Sequence, residues 1–168
     1  SNNGGGAYAY TNTTTNTSHF YRDLTVPAGE TVITLSFQLK VTGESGFDRL
    51  LVYTAPTSVT PVAGTPASSS TTLTGATLAY TGVPLSGVAY TSQTVTLPTT
   101  LAGTTFRLIL TWQNDGSVGT NPPASIDNIS VTSDLPPPPP ANDTCTGATP
   151  LTLNIPLQPL EKGAKVIL

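Results

Sequence analysis

Residues 106–131 read FRLILTWQNDGSVGTNPPASIDNISV, and this stretch decides the fold. Phe106, Leu108, Leu110 and Trp112 alternate onto one face while Arg107, Thr111 and Gln113 take the other, which predicts a long strand over 106–113. Residues 124–131 predict a second strand. A polar loop rich in Gly and Pro, 114–123, separates the two. Asp127, near the start of the second strand, stands out, because carboxylates are depleted in sheets unless a partner is at hand.

Working outward, the same two-residue period recurs. Over 31–42, Val32, Thr34, Ser36, Gln38 and Lys40 stand opposite Ile33, Leu35, Phe37, Leu39 and Val41, far from helical spacing. Further strands are predicted over 19–26, 47–54, 73–82 and 87–97. Pro27-Ala28-Gly29-Glu30, Gly43-Glu44-Ser45-Gly46 and 98–103 form the turns. A short edge strand is expected at Ala7-Tyr8-Ala9-Tyr10, and the Pro/Ser/Thr-rich segment 55–70 reads as a long surface loop. Seven or eight strands with turns every 8–12 residues indicate an all-β sandwich or barrel of antiparallel strands, assigned to residues 1–133. The run Pro136 to Pro140 stiffens into a polyproline II spacer, assigned to 134–141. Residues 142–168 then read as the opening of a following module or as an added tail.

Only 9% of the 168 residues are charged, against roughly 25% in average soluble proteins. Thr, Ser, Asn and Gly take their place, so the surface is hydrated by hydroxyls and amides. That suits an extracellular or cell-surface protein better than a cytosolic one, which relies on charge for solubility. The net charge of −3 and the lack of a basic stripe argue against a nucleic-acid partner. No run approaches the ~20 apolar residues of a membrane span. Methionine is absent, so a processed or excised piece is expected, and the single Cys145 offers no disulfide framework within it.

A family likeness rests on several motifs taken together. These are 21–29 (YRDLTVPAG), 43–50 (GESGFDRL), 101–108 (LAGTTFRL), 112–117 (WQNDGS) and 122–129 (PPASIDNI). As a set they resemble repeat modules of large secreted surface proteins of Bacteroidota, the adhesins of gliding motility and type IX secretion. More distantly they are similar to the MAM and cleaved-adhesin jelly rolls, whose last strand carries a comparable Ile-Asp-Asn/Asp-Ile motif. The likeness covers about 19–133. Asn142-Asp143-Thr144-Cys145 similarly resembles the start of the next module, where the cysteine would find its partner. The resemblance implies a two-sheet antiparallel jelly-roll sandwich, a cell-surface location and a binding or adhesive role. It implies no substrate.

Three chemistries merit weighing. Catalysis would have to run through His19, the one histidine, or through a carboxylate pair drawn from Glu44, Asp48, Asp115 and Asp127. His19 is expected to be an ordinary surface histidine and the carboxylates to serve structure or a metal, so no enzyme activity is expected. Calcium is the sharper candidate. Hard cations take several oxygens, and Glu44, Asp48 and Asp127 stand at the family's acidic positions. The alternative is that Asp48 pairs with Arg49 or Arg22 while Asp127 accepts backbone N–H bonds in a turn. Carbohydrate binding is the third. Trp112 supplies a flat face, Gln113, Asn114 and Asp115 supply polar partners, and Tyr90 or Tyr53 could add a platform. Against it, Trp112 shares its face with Phe106, Leu108 and Leu110 and so reads as core. The expected partners are a surface glycan, a protein ligand, or neighbouring modules if the chain is a spacer or filament subunit whose edge strands lack blocking lysines.

Overall fold

The computed structural model describes residues 10–83 and 89–136. Most of the expected edge strand at 7–10, the spacer from 137 onward and the segment 142–168 lie outside the described residues. Among those described, seven strands form: β1 Asn16–Thr25, β2 Val32–Lys40, β3 Arg49–Pro56, β4 Thr77–Gly82, β5 Thr91–Leu97, β6 Thr105–Asn114 and β7 Ser125–Asp134. A four-stranded sheet has the order β1-β6-β3-β4 and a three-stranded sheet the order β5-β2-β7. All pairings are antiparallel. Only β3 and β4 are consecutive in sequence and adjacent in a sheet. Every other connection passes from one sheet to the other, which is the winding of a jelly-roll sandwich.

β2 behaves as its alternation dictates. Ile33, Leu35, Phe37 and Leu39 are at most 2% exposed, and they meet Leu50, Val52, Phe106, Leu108 and Leu110 of the opposing sheet. This is the main core. The other faces of β3 and β6 are buried as well. Leu51, Tyr53, Ala55 and Ile109 pack with Leu73, which comes from the segment between β3 and β4.

That second core corrects the reading of 55–70 as a free surface loop. The segment lies over the outer face of the larger sheet, held by donors from the strands beneath. Gln113 Nε2 donates to the carbonyls of Pro66, Ala67 and Ser70 at 3.1, 2.7 and 3.0 Å. Thr17 Oγ1 reaches Pro66 O at 3.0 Å, Tyr53 Oη reaches Thr71 O at 2.9 Å, and an Arg49 Nη reaches Ser68 O at 2.9 Å. Chain without strand or helix carries unpaired carbonyls, and burying them costs free energy unless a donor is supplied. So the polar side of β6 is buried, and Thr111 and Gln113 are fully enclosed.

Arg107 extends the same device. Its guanidinium pairs with both carboxylate oxygens of Asp23 at 2.7 and 3.0 Å, donates to Val59 O at 2.9 Å and sits 4.3 Å from the centre of the Tyr21 ring. Hydrogen bonding to that guanidinium, with its charge, holds the Asp23 carboxyl below the usual range. His19 bridges too. One ring nitrogen lies 2.8 Å from Thr111 Oγ1 and the other 3.1 Å from Val62 O, so the ring links β6 to the overlying segment.

Gln113→Ala is expected to lower stability to urea by about 2–3 kcal/mol, because the carbonyls of Ala67 and Ser70 lose their donor and that of Pro66 keeps only Thr17. Gln113→Glu should be at least as damaging, since a carboxylate cannot donate. Thr94→Ala, on an exposed position of β5, serves as the neutral control.

Candidate functional site

The site is built where β6 ends. Asn114, Asp115 and Gly116 carry the chain off the sheet, and Gly116 turns at φ 85°, where a β-carbon would run into the backbone of Thr14 and Thr15. The lead-in residues 10–15 are laid along this loop. Asn114 Nδ2 donates to Thr14 O at 2.9 Å and Thr11 O at 3.3 Å, Asn12 Nδ2 donates to Gly119 O at 2.9 Å, and Thr15 Oγ1 to Asp115 O at 2.6 Å. Tyr10 is fixed at both ends. Its backbone N–H donates to Asn121 Oδ1 at 2.8 Å and its hydroxyl to Asp48 Oδ2 at 2.6 Å.

Asp48 is fully buried at the end of the turn between β2 and β3. Its Oδ2 also accepts the Glu44 N–H at 2.8 Å, and Gly43 leaves room for it by lacking a β-carbon, which would lie 2.7 Å from that oxygen. Asp48 Oδ1 has no protein partner. Ser117 joins the neighbouring acids, its Oγ lying 2.8 Å from Glu44 Oε2 and 3.0 Å from Asp115 Oδ1. Burial raises the Tyr10 hydroxyl well above its ordinary pKa, and the hydrogen bond and charge of Asp48, with the charges of Glu44 and Asp115, add to the effect.

Beside this cluster Tyr10 meets Trp112 edge to face, with ring centres 5.3 Å apart and planes at 77°. The pair borders an open cleft of about 550 Å³ whose other walls are Thr11, Asn16, Ser18, Pro123 and Ala124. A second hollow of about 160 Å³ continues past Ser18, Trp112 and Ala124 to Phe20, Leu110 and Ile126. The register explains the groove. Asn16, Ser18 and Phe20 of β1 stand opposite Asn114, Trp112 and Leu110 of β6, and so share their face. Among the described residues the facing sheet has one strand fewer, and this row at the β1 edge stays exposed, Phe20 by 50%.

The expected residues take different parts. Trp112 packs against the main core, as its shared face with Phe106, Leu108 and Leu110 implies, and also lines both hollows. Its indole N–H finds no acceptor among the described residues. Asn114 is buried and clamps the lead-in, while Asp115 accepts the N–H of Ser117 at 3.0 Å, closing a short turn. Glu44 and Asp48 lie in one turn. Asp127 lies elsewhere, exposed on β7 opposite Gln38, its Oδ1 accepting the Asn128 N–H at 2.7 Å. There the register of β7 against β2 shifts by one and Asn128 takes φ 51°, so the Ile-Asp-Asn-Ile motif encodes a β-bulge. Among the described residues no group of three or more His, Cys, Asp or Glu side chains is placed to hold a metal ion. Asp48 pairs with neither Arg49 nor Arg22; its hydrogen-bond donors are Tyr10 and Glu44. Tyr53 is buried and Tyr90 is exposed away from the groove.

Tyr10, Asn16, Ser18 and Phe20 were not anticipated as a site. The strand expected over 19–26 begins at Asn16 instead, and the pairing of Ser18 with Trp112 across more than 90 positions has no local signal.

No family model matches the chain, and no curated protein matches it. Among solved structures, the carbohydrate-binding module TmCBM61, determined in complex with β-1,4-galactotriose, aligns with a TM-score of 0.44 and 8% identity. The alignment covers 73% of this chain and 66% of that one. A likeness of this degree carries no ligand from one protein to the other. Among the described residues no helix is long and apolar enough to cross a membrane.

The bulge gives a direct test. Asn128→Gly should leave stability within about 0.5 kcal/mol, whereas Asn128→Val, forced into positive φ, should cost about 1–3 kcal/mol in chemical denaturation.

Proposed function

We propose that this domain is a non-catalytic binding module of a secreted, adhesin-type surface protein, and that its ligand is a carbohydrate held in the Tyr10–Trp112 cleft. The observation that carries the reading is the cleft itself. Two aromatic rings, fixed in mutual orientation, border a space of about 550 Å³ whose remaining walls bring the hydroxyls of Thr11 and Ser18 and the amide of Asn16. Sugars present apolar C–H faces and polar hydroxyl edges, and a rigid aromatic platform beside short polar groups matches both. The platform is preorganised, because Tyr10 is held by Asn121 and Asp48 before any ligand arrives. Low charge and a Thr/Ser/Asn-rich surface support the extracellular setting.

The test is binding to a glycan array followed by titration. Saturable binding to at least one glycan is expected, with Trp112→Ala weakening it at least about tenfold, or ~1.4 kcal/mol, and circular dichroism confirming that the variant folds. Absence of binding across the array would remove the carbohydrate ligand.

A second reading concerns calcium, and Asp48 favours it. A fully buried carboxylate with one oxygen lacking a partner invites a cation. Asp48 and Glu44 would hold the ion, which would neutralise their turn and brace the Tyr10 clamp, with Asp127 taking no part. EDTA should then lower the melting temperature by several degrees, calcium should restore it, and Asp48→Asn should abolish the response. An unchanged midpoint would remove the ion from the account.

A further inference from the structure

Resting on the carbohydrate reading, we propose that the groove takes an uncharged oligosaccharide laid along β1, rather than a single terminal sugar or an acidic polysaccharide.

Length comes first. The two hollows share Ser18, Trp112 and Ala124, so they form one track. Same-face residues of a strand recur every ~7 Å, which makes the exposed row from Asn16 through Ser18 to Phe20 ~13 Å long. Tyr10 and Trp112 give an aromatic surface towards one end and Phe20, half exposed, gives one at the other, with hydroxyls between. Separated aromatic surfaces along one track suit successive rings of a chain, whereas a lone sugar would use only the first.

Charge comes second. None of the side chains lining the track is acidic, lysine or arginine, and the His19 ring nitrogens are engaged with Thr111 and Val62. Behind Tyr10 stand the carboxylates of Asp48, Glu44 and Asp115, whose charges reach its hydroxyl. Among the described residues, the bases that could offset them lie away from the Tyr10 end. Arg49 donates to Ser68 O. Lys40 pairs opposite Ser125 on the smaller sheet, and Arg22, on the same face of β1, stands one step past Phe20 at the opposite end of the track. A carboxylate or sulfate at the Tyr10 end would therefore meet like charge with no counter-ion among the described residues, a repulsion that strengthens as salt is withdrawn.

Titration calorimetry on the whole chain, at about 20 mM and 150 mM salt, tests both features. The probes are glucose, galactose, mannose and xylose, their β-1,4-linked tetramers, and tetramers of galacturonate and mannuronate. At least one neutral tetramer should bind about tenfold or more tightly than its monosaccharide. The uronate tetramers should bind more weakly, with the deficit widening at low salt. Phe20→Ala, at a half-exposed position, should reduce tetramer affinity more than monosaccharide affinity. Uronates binding as well as or better than neutral tetramers at low salt, lost in Trp112→Ala, would overturn the charge inference while leaving the carbohydrate reading intact. Monosaccharides binding as tightly as tetramers would overturn the extended track in the same way. Failure of every probe to bind would take the inference down together with the reading on which it rests.

Discussion

Irregular chain can be packed over a sheet only if something answers its carbonyl groups, and that constraint shapes most of this domain. The larger sheet meets it with side chains in place of a backbone ladder. Gln113 serves three carbonyls, one of them shared with Thr17, while Arg49, Arg107 and Tyr53 each serve one more. With those donors in place, Leu73 can join Leu51, Tyr53 and Ile109 in a second apolar layer. A chain in which 9% of residues are charged thus uses two of its few arginines as internal scaffolding.

The same logic repeats at the groove. Asn114 and Asn12 hold residues 11–15 against the 114–121 loop by their side-chain amides, and that strap delivers Tyr10 to Trp112. Asp48 completes the attachment from the turn between β2 and β3. Three segments distant in sequence therefore meet at one aromatic pair. Among the described residues the groove lies where the sheet facing β1 is one strand narrower.

Much of the architecture was legible in the residues. The alternation of β2 and β6 gave their inner faces correctly, because burial against the opposite sheet imposes a period of two. The outer face of β6 misled. Arg107, Thr111 and Gln113 look like solvent-facing residues, and only the overlying 57–76 segment makes them interior. The site was legible in part. Trp112, Glu44 and Asp48 do flank it, but Asp127 was drawn in by its chemical type, and its place is a bulge set by Asn128. Tyr10 could not be found from spacing, since nothing local marks which loop it will cross.

The ends of the strand stack have a mechanical consequence. The chain enters β1 at Asn16, paired with Asn114, and leaves β7 at Asp134, whose carbonyl accepts the Thr31 N–H beyond the far end of β1. Tension on the two termini therefore runs parallel to the strands, across edge strands that belong to different sheets. Under that pull the rungs between β1 and β6 are sheared together instead of unzipping singly, an arrangement that resists force well. Resistance to a lengthwise pull is thereby written into the order of the strands.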